Sequence, residues 1–292
     1  MVKKSQSKTK EKSMPNGKYV QKTLTCSTCQ KFLKNTQQHN CICKRGIVNI
    51  GNSCYISSVL HAVAELNIYS TLPEDSQLGA FLKVLSTHST KAASPRIALC
   101  EINDLWEHRN LQEDAFEFFM TILPLLQSSK FTYEYLSQRL CEICHYTCEA
   151  VIREDCSIHM EVNGTSLQEQ LQSSVEPIDE ICKNCSKGYM MRYKNISKAP
   201  EILAVRIVRF MVNEKTGKPS KIWNKVALPA EVTVNGKLYK LEVVILHKSK
   251  ALHHGHYTVY LRNKKILIDD EKVYYNKTLK LDYSYYYLAF YV

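Results

Sequence analysis

The feature that most limits how this chain can fold is a repeated pair of cysteines. Cys141-Glu142-Ile143-Cys144 and Cys182-Lys183-Asn184-Cys185 share the spacing C-x2-C, with 37 residues between the pairs. Each pair can grip one side of a tetrahedral zinc ion while the intervening residues loop out as hairpin strands. The competing reading, four small core residues, requires the same spacing to arise by coincidence at both ends. Four thiolates leave a metal no open position, so this structural Zn2+ site holds the chain and performs no chemistry. A lobe at about residues 135–195 is therefore expected to be pinned at its cysteines. Cys148 and Cys156 fall outside the scheme and read as core or surface thiols.

A weaker constellation comes earlier. Cys26 and Cys29, followed by His39, Cys41 and Cys43, offer a second metal site that would fold a small zinc knuckle over residues 23–45, although its second half lacks a C-x2-C grip. The first residues, MVKKSQSKTKEKSMPNGK, have lysines with no apolar core behind them and do not read as a signal peptide. Twelve cysteines in such a chain point to metal ligands, catalytic thiols or core residues rather than a disulfide framework. An intracellular protein of the nucleus or cytoplasm is expected. No stretch approaches the roughly eighteen apolar residues of a membrane span, so no membrane partner is expected.

Charge is unevenly placed. Residues 1–45 hold eleven Lys or Arg against one acid, Glu11, and so carry ten of the chain's eleven net positive charges. Residues 1–22 lack hydrophobic periodicity and read as a disordered basic arm. Such an arm is either simply solvated or an electrostatic contact for chromatin or another anionic partner. A zinc-dependent nucleic-acid-binding protein is one reading of that end, but the near-neutral remainder argues against it as the main function.

Beyond the arm, texture separates two halves. Ile56, Val59, Leu60 and Val63 recur at helical spacing, and Leu111 to Leu126 carries a second such face through Ala115, Phe118, Phe119 and Ile122. From Glu201 onward, EILAVRIVRF, YKLEVVILH, HYTVYLR, KKILI and YYYLAFYV are β-branched and aromatic runs that predict strands. Asn235-Gly236 between two such runs predicts a two-residue hairpin, since both of its central positions need positive φ. Helices first and strands later make the fold class α+β, with the cysteine-bearing lobe between them.

Cys54, in GIVNIGNSCYISSVLH, stands where a Gly/Asn-bearing turn meets the first predicted helix. It can be a packing residue, a metal ligand or a nucleophile. A helix N-terminus favours the thiolate, the form that attacks a carbonyl carbon. Catalysis also needs a base and a group to orient it. His256 precedes an alternating strand, and Asp269 and Asp270 end the next one, so a hairpin can return a carboxylate to His256. Cys, His and Asp then follow in papain-like chain order.

Five segments in order, GIVNIGNSCYISSVLH, QEDAFEFF, HHGHYTVYLRN, IDDEKV and YYYLAFYV, resemble the ubiquitin-specific protease family. The resemblance covers about residues 44–292 and includes both cysteine pairs. It implies a papain-like cysteine protease fold, with a helical thumb, an antiparallel-sheet palm and zinc-bearing fingers, over a catalytic domain at 46–292. It implies a Cys54 nucleophile, a His256 general base and later acid, and an orienting Asp269, with Asp270 in reserve. Asn49 matches the amide that donates to the oxyanion. Asp114 and Glu117 match acids that hold the arginine-bearing tail of ubiquitin, and Gln112 in the same motif joins them as a substrate-binding residue. Gly255 matches a position where the backbone passes close to that tail. The chain departs from the family pattern at His61, where Gln is usual, at Phe116, where His is usual, and at Ile268, where an aromatic residue is common. The implied activity is hydrolysis of the isopeptide or peptide bond at ubiquitin's C-terminal glycine, with ubiquitin or ubiquitinated proteins as partners. A catalytically silent ubiquitin-binding scaffold is the rival reading.

Overall fold

The computed structural model describes residues 44–292 apart from 88, 90, 108–109, 173, 213–216, 218, 250–254 and 281. The basic arm at 1–22 and the candidate ligands Cys26, Cys29, His39, Cys41 and Cys43 lie outside the described residues.

The first half is built on α1 (Cys54–Leu66), of whose 13 residues eleven, from Cys54 through Ala64, are buried. A helix apolar or small on every side must be enclosed on every side. It ends at Asn67, whose φ of 51° is a left-handed cap. Around it stand α2 (Gln77–Leu85), whose N-cap Ser76 accepts from Gly79 N, α3 (Arg96–Glu101) and α4 (Ala115–Ile122). The second predicted helix is shorter than its apolar pattern. Asp114 accepts from the N–H groups of Phe116 and Glu117 and so starts α4 at Ala115. After Ile122 the chain tightens into a 3-10 turn over Leu123–Leu125, which contains a proline.

The remainder is mainly strand. In chain order these are β1 (Tyr133–Cys141), β2 (Val151–Asp155), β3 (Ile158–Glu161), β4 (Ser174–Ile181) and β5 (Tyr189–Lys198), with α5 (Leu167–Gln172) before β4. There follow β6 (Leu203–Val208), β7 (Phe210–Val212), β8 (Pro219–Lys221), β9 (Val226–Ala227), β10 (Glu231–Val234) and β11 (Lys237–Lys248). Last come β12 (His256–Leu261), β13 (Ile266–Asp269), β14 (Lys272–Tyr274), β15 (Asp282–Tyr283) and β16 (Tyr286–Tyr291). The predicted Asn235-Gly236 turn joins β10 to β11, with φ values of 49° and 76°.

The cysteine-bearing lobe is a four-stranded antiparallel sheet in the order β2-β1-β5-β4. Not all of residues 135–195 belong to it, because β3 leaves to pair in parallel with β6. The larger sheet runs β14-β13-β12-β11-β16-β6-β3, with β10 also on β11. Both of its faces are covered. Val243, Ile245, Val259 and Phe290 pack with α1 and α4, whereas Val244, Leu246, Tyr260 and Ala289 pack with Leu167 and Leu171 of α5. That is why these strands read as near-continuous apolar runs.

Arg209, between β6 and β7, is only 1% exposed. Its Nε donates to Tyr286 O at 3.0 Å, Nη2 to Tyr283 O at 3.0 Å, and Nη1 to Ile222 O at 3.3 Å and to Asn224 O. Carbonyl dipoles thus share the buried charge, and burial lowers its pKa to about 10. One side chain ties β16 to the segment after β8. Arg209→Met leaves these carbonyls unpaired and is expected to cost about 3 kcal/mol, read from the urea midpoint at unchanged slope.

Candidate active site

The loop into α1 is folded by one side chain. Asn49 Oδ1 accepts from Gly51 N at 3.0 Å and Ser53 N at 3.3 Å, while Ile50 N donates to Ser53 Oγ at 3.0 Å. Gly51 has φ +107°, and a Cβ there would lie 2.7 Å from Asn110 Oδ1, so the turn admits only glycine. The chain leaves this turn with Cys54 as the first helical residue, 2% exposed. The first backbone N–H groups of a helix lack intrahelical acceptors, which makes this end attractive to negative charge. Gln112, from the segment before α4, puts Nε2 3.7 Å and Oε1 4.0 Å from Cys54 Sγ.

Strand register brings the imidazole and a carboxylate together. Val259 lies opposite Ile268 and Leu261 opposite Ile266. Continued one step, that register sets Asp269 diagonal to His256 on one face of the sheet, within reach of side chains. His256 Nε2 lies 2.5 Å from Asp269 Oδ1. The carboxylate accepts the Nε2 proton, which leaves Nδ1 for the thiol. The hydrogen bond to Asp269 and then that to Cys54 raise the His256 pKa to about 10, against the opposing effect of burial. The same His256 contact holds Asp269 below the usual carboxylate range. His256 is thus hydrogen-bonded to Asp269 and close enough to Cys54 to feel its charge, which brings together the three groups by which a side-chain nucleophile loses its proton to an oriented base.

Asp270 behaves differently. It has φ 49° in the turn between β13 and β14, and its Oδ2 accepts from Asn49 Nδ2 at 2.8 Å. Burial raises its pKa. Its backbone O also accepts from Ile47 N at 2.9 Å. A Cβ on Gly46 would lie 2.3 Å from Glu271 O, so glycine is what lets the segment before Cys54 close on this turn. The loop carrying the thiol is thus fastened directly to the hairpin carrying the acid. Asn49, the expected oxyanion donor, stands at that junction with its amide engaged by Asp270.

Asp114 and Glu117 lie together at the start of α4. Asp114 Oδ1 accepts from Phe116 N at 2.7 Å, and its Oδ2 accepts from the Tyr287 hydroxyl and lies 3.6 Å from Arg206 Nη2. The Arg206 guanidinium stacks over Phe116, 4.5 Å from the ring centre. Glu117 is exposed, and partial burial and then the Asp114 charge raise its pKa. Sequence reading passes over Arg206 and Tyr287, which sit inside strand runs that otherwise look like core. At Gly255 a Cβ would lie 2.1 Å from His247 Nε2 and 2.7 Å from Ser249 Cβ, so the protein itself requires glycine there.

In the finger sheet, the sulfurs of Cys141, Cys144, Cys182 and Cys185 lie within 4.8 Å of one another. Cys141 and Cys185 sulfurs are 3.7 Å apart, and those of Cys144 and Cys182 are 3.6 Å apart. A tetrahedron with metal–sulfur bonds of about 2.3 Å has edges of about 3.8 Å, so the set fits a metal ion such as zinc. Backbone N–H groups of Cys144 and Gly188 point at Cys141 and Cys185 sulfurs at 3.5 and 3.4 Å, which suits thiolates. A Cβ on Gly188 would lie 2.7 Å from the Cys141 sulfur.

A family model described as ubiquitin carboxyl-terminal hydrolase matches residues 45–291. Ubiquitin carboxyl-terminal hydrolase 9 of Saccharomyces cerevisiae is 29% identical over 150 residues, covering 44% of this chain and 20% of that protein. This chain thus spans a small part of that relative's length. Ubiquitin carboxyl-terminal hydrolase 12 of Salmo salar is 24% identical over 302 residues, covering 78% of this chain and 80% of that protein. The solved SAGA DUB module Ubp8/Sgf11/Sus1/Sgf73 bound to monoubiquitin matches at 16% identity with a TM-score of 0.68, over 91% of this chain and 73% of that chain. The α+β fold expected from helical patterns followed by strand runs is the fold found.

Metal analysis of protein purified with zinc is expected to show one ion bound by this cluster, lost in Cys182→Ser together with the finger sheet's protection from hydrogen exchange. The His256–Asp269 pair also predicts a pH dependence. The raised His256 pKa gives stability that is complete below its ordinary 6.5 and fades as pH rises through about 10. The lowered Asp269 pKa gives stability present above its ordinary 3.8. The stability difference between the unsubstituted protein and His256→Gln should therefore be largest between those two ordinary values and shrink towards pH 10. Chemical denaturation across that range measures it, and a flat difference would contradict the pairing.

Proposed function

Because the chain belongs to the ubiquitin carboxyl-terminal hydrolase family and carries the domain of a cysteine-type deubiquitinase, we propose that it hydrolyses the isopeptide or peptide bond at the C-terminal glycine of ubiquitin through Cys54, His256 and Asp269. The observation that carries this reading is the His256 imidazole held at 2.5 Å by the Asp269 carboxylate, with its protonation influenced by Cys54, the buried thiol at the start of α1. Cys54 Sγ gives its proton to His256 Nδ1 and attacks the glycine carbonyl carbon. Negative charge develops on the carbonyl oxygen and is met by N–H groups at the start of α1 and by Asn49, the kind of donor worth about 3 kcal/mol at a transition state. The imidazolium then protonates the leaving lysine amine as the carbon–nitrogen bond breaks, leaving a thioester on Cys54. Water attacks that thioester, His256 takes its proton, and ubiquitin leaves as the free acid while the thiol is restored. Asp269 keeps the Nε2 proton in place throughout and steadies the imidazolium.

Ubiquitin is the proposed partner. Exposed Glu117 presents negative charge suited to its arginine-bearing tail, backed by Asp114, which Tyr287 and Arg206 hold in place, with Gln112 beside the thiol and Gly255 next to the base. Cys141, Cys144, Cys182 and Cys185 would hold a structural zinc that keeps the finger sheet together and takes no part in the reaction.

Turnover of ubiquitin carrying a fluorogenic C-terminal reporter tests the assignment. Cys54→Ala should abolish turnover while still binding ubiquitin, and retained turnover would remove Cys54 from its role. Asp269→Asn should lower kcat by about a thousandfold or more. Asp270→Asn should cost less, because that carboxylate acts through Asn49. The reverse ranking would make Asp270 the orienting acid.

A further inference from the structure

Lys221, at the end of β8, belongs to none of the motifs above, yet it is held from all sides. Its ammonium lies 4.7 Å from the ring centre of Trp223, 5.7 Å from Tyr285 and 5.8 Å from Phe210. Nζ donates to His247 O at 2.8 Å and Ser249 O at 3.0 Å, and it lies 3.5 Å from His247 Nδ1. His247 lies at the end of β11 and Ser249 just beyond it, flanking Lys248, which pairs with His256. His247 is 1% exposed, and its ring is tilted 30° against that of Tyr257, with centres 4.5 Å apart. Its Nε2 has no hydrogen-bond partner among the described residues and faces Gly255 closely enough that a Cβ there would sit 2.1 Å away.

We propose that Lys221 is a positioning residue for the catalytic imidazole: by clamping the His247 and Ser249 carbonyls and the His247 ring, it fixes the wall against which Gly255 and His256 are seated. The protonation states agree. An ammonium can only donate, so His247 Nδ1 is its acceptor and the ring carries its proton on Nε2. Burial and then the Lys221 charge lower the His247 pKa to about 4, so the ring stays neutral at physiological pH. The aromatic cage holds the lysine stem and its charge, and the two carbonyls direct the ammonium to one place. Without it, those carbonyls and the His247 ring lose the partner that determines how closely the start of β12 approaches Cys54. A displacement on the order of 1 Å is enough to cost a large factor in rate.

The role rests on the hydrolase reading, and the test separates the two. Lys221→Met keeps an apolar stem in the cage and removes the donors. The rate at which iodoacetamide alkylates Cys54, mapped by mass spectrometry, is measured against pH in the intact chain, alongside kcat and KM for the ubiquitin reporter. The variant should be alkylated about tenfold more slowly near neutral pH, where the thiol depends on His256, and at a similar rate at high pH, where it does not. Its kcat should fall about tenfold with KM within about twofold. Equal alkylation at every pH, or a variant-to-parent ratio that does not change with pH, would overturn the proposal. If the Met variant does not fold, Lys221→Arg decides by the same ratio, with a smaller shift expected and none overturning it. Failure of the unsubstituted protein to cleave the reporter would count against the hydrolase reading alone, since alkylation still decides for Lys221.

Discussion

The burial of α1 from Cys54 through Ala64 is the constraint on which the rest of the structure depends. A helix that carries Val, Leu, Ile, Ala and Tyr around its circumference, with only Ser57, Ser58 and His61 as buried polar residues, is stable in water only when sheet and helices surround it, and each large aliphatic chain enclosed contributes about 1.5–3 kcal/mol. Here the enclosure consists of β11, β12 and β16 on one side and α4 on another, with Tyr55, Trp106 and Phe118 meeting edge to face or tilted. Once α1 is seated, its first residue can occupy only one place. Cys54 is therefore located by the core, and the loop before it need only deliver the chain to that point.

The acid and base are located from the other direction. β12 and β13 are central and near-edge strands of the same sheet, and their register decides that Asp269 rather than Asp270 reaches the imidazole. Two polar contacts then lock these frames together. Asn49 joins the nucleophile loop to Asp270, and Gly46 permits the backbone to close on the turn at 270–271. A thiol near one end of the domain and an imidazole near the other are neighbours because a helix face and a hairpin register agree.

Much of this was legible in the residues. The period of Ile56, Val59, Leu60 and Val63 gives α1, Asn235-Gly236 gives its hairpin, and the paired C-x2-C units give a four-sulfur cluster, since each is a local signal with one physical solution. The aromatic and β-branched runs after residue 201 give β6, β11, β12, β13 and β16. What the sequence hides is mostly long-range. The Asn49–Asp270 contact spans 221 positions, and the parallel pairing of β3 with β6 has no local signature. Arg209 looks like an exposed charge among strand residues and proves to be a buried donor to four carbonyls. Lys221 and His247 are individually ordinary and gain meaning only from the cage and the carbonyls around them. The shortness of α4 was readable at Asp114, an N-cap residue lying inside an otherwise helical pattern.

The most direct test of the central claim uses ubiquitin whose C-terminal glycine carries a thiol-reactive group, added to the folded chain and followed by mass spectrometry. The account predicts one ubiquitin joined per chain, at Cys54 and at no other cysteine. Folded protein that forms no adduct, or forms it at a different thiol, would contradict it.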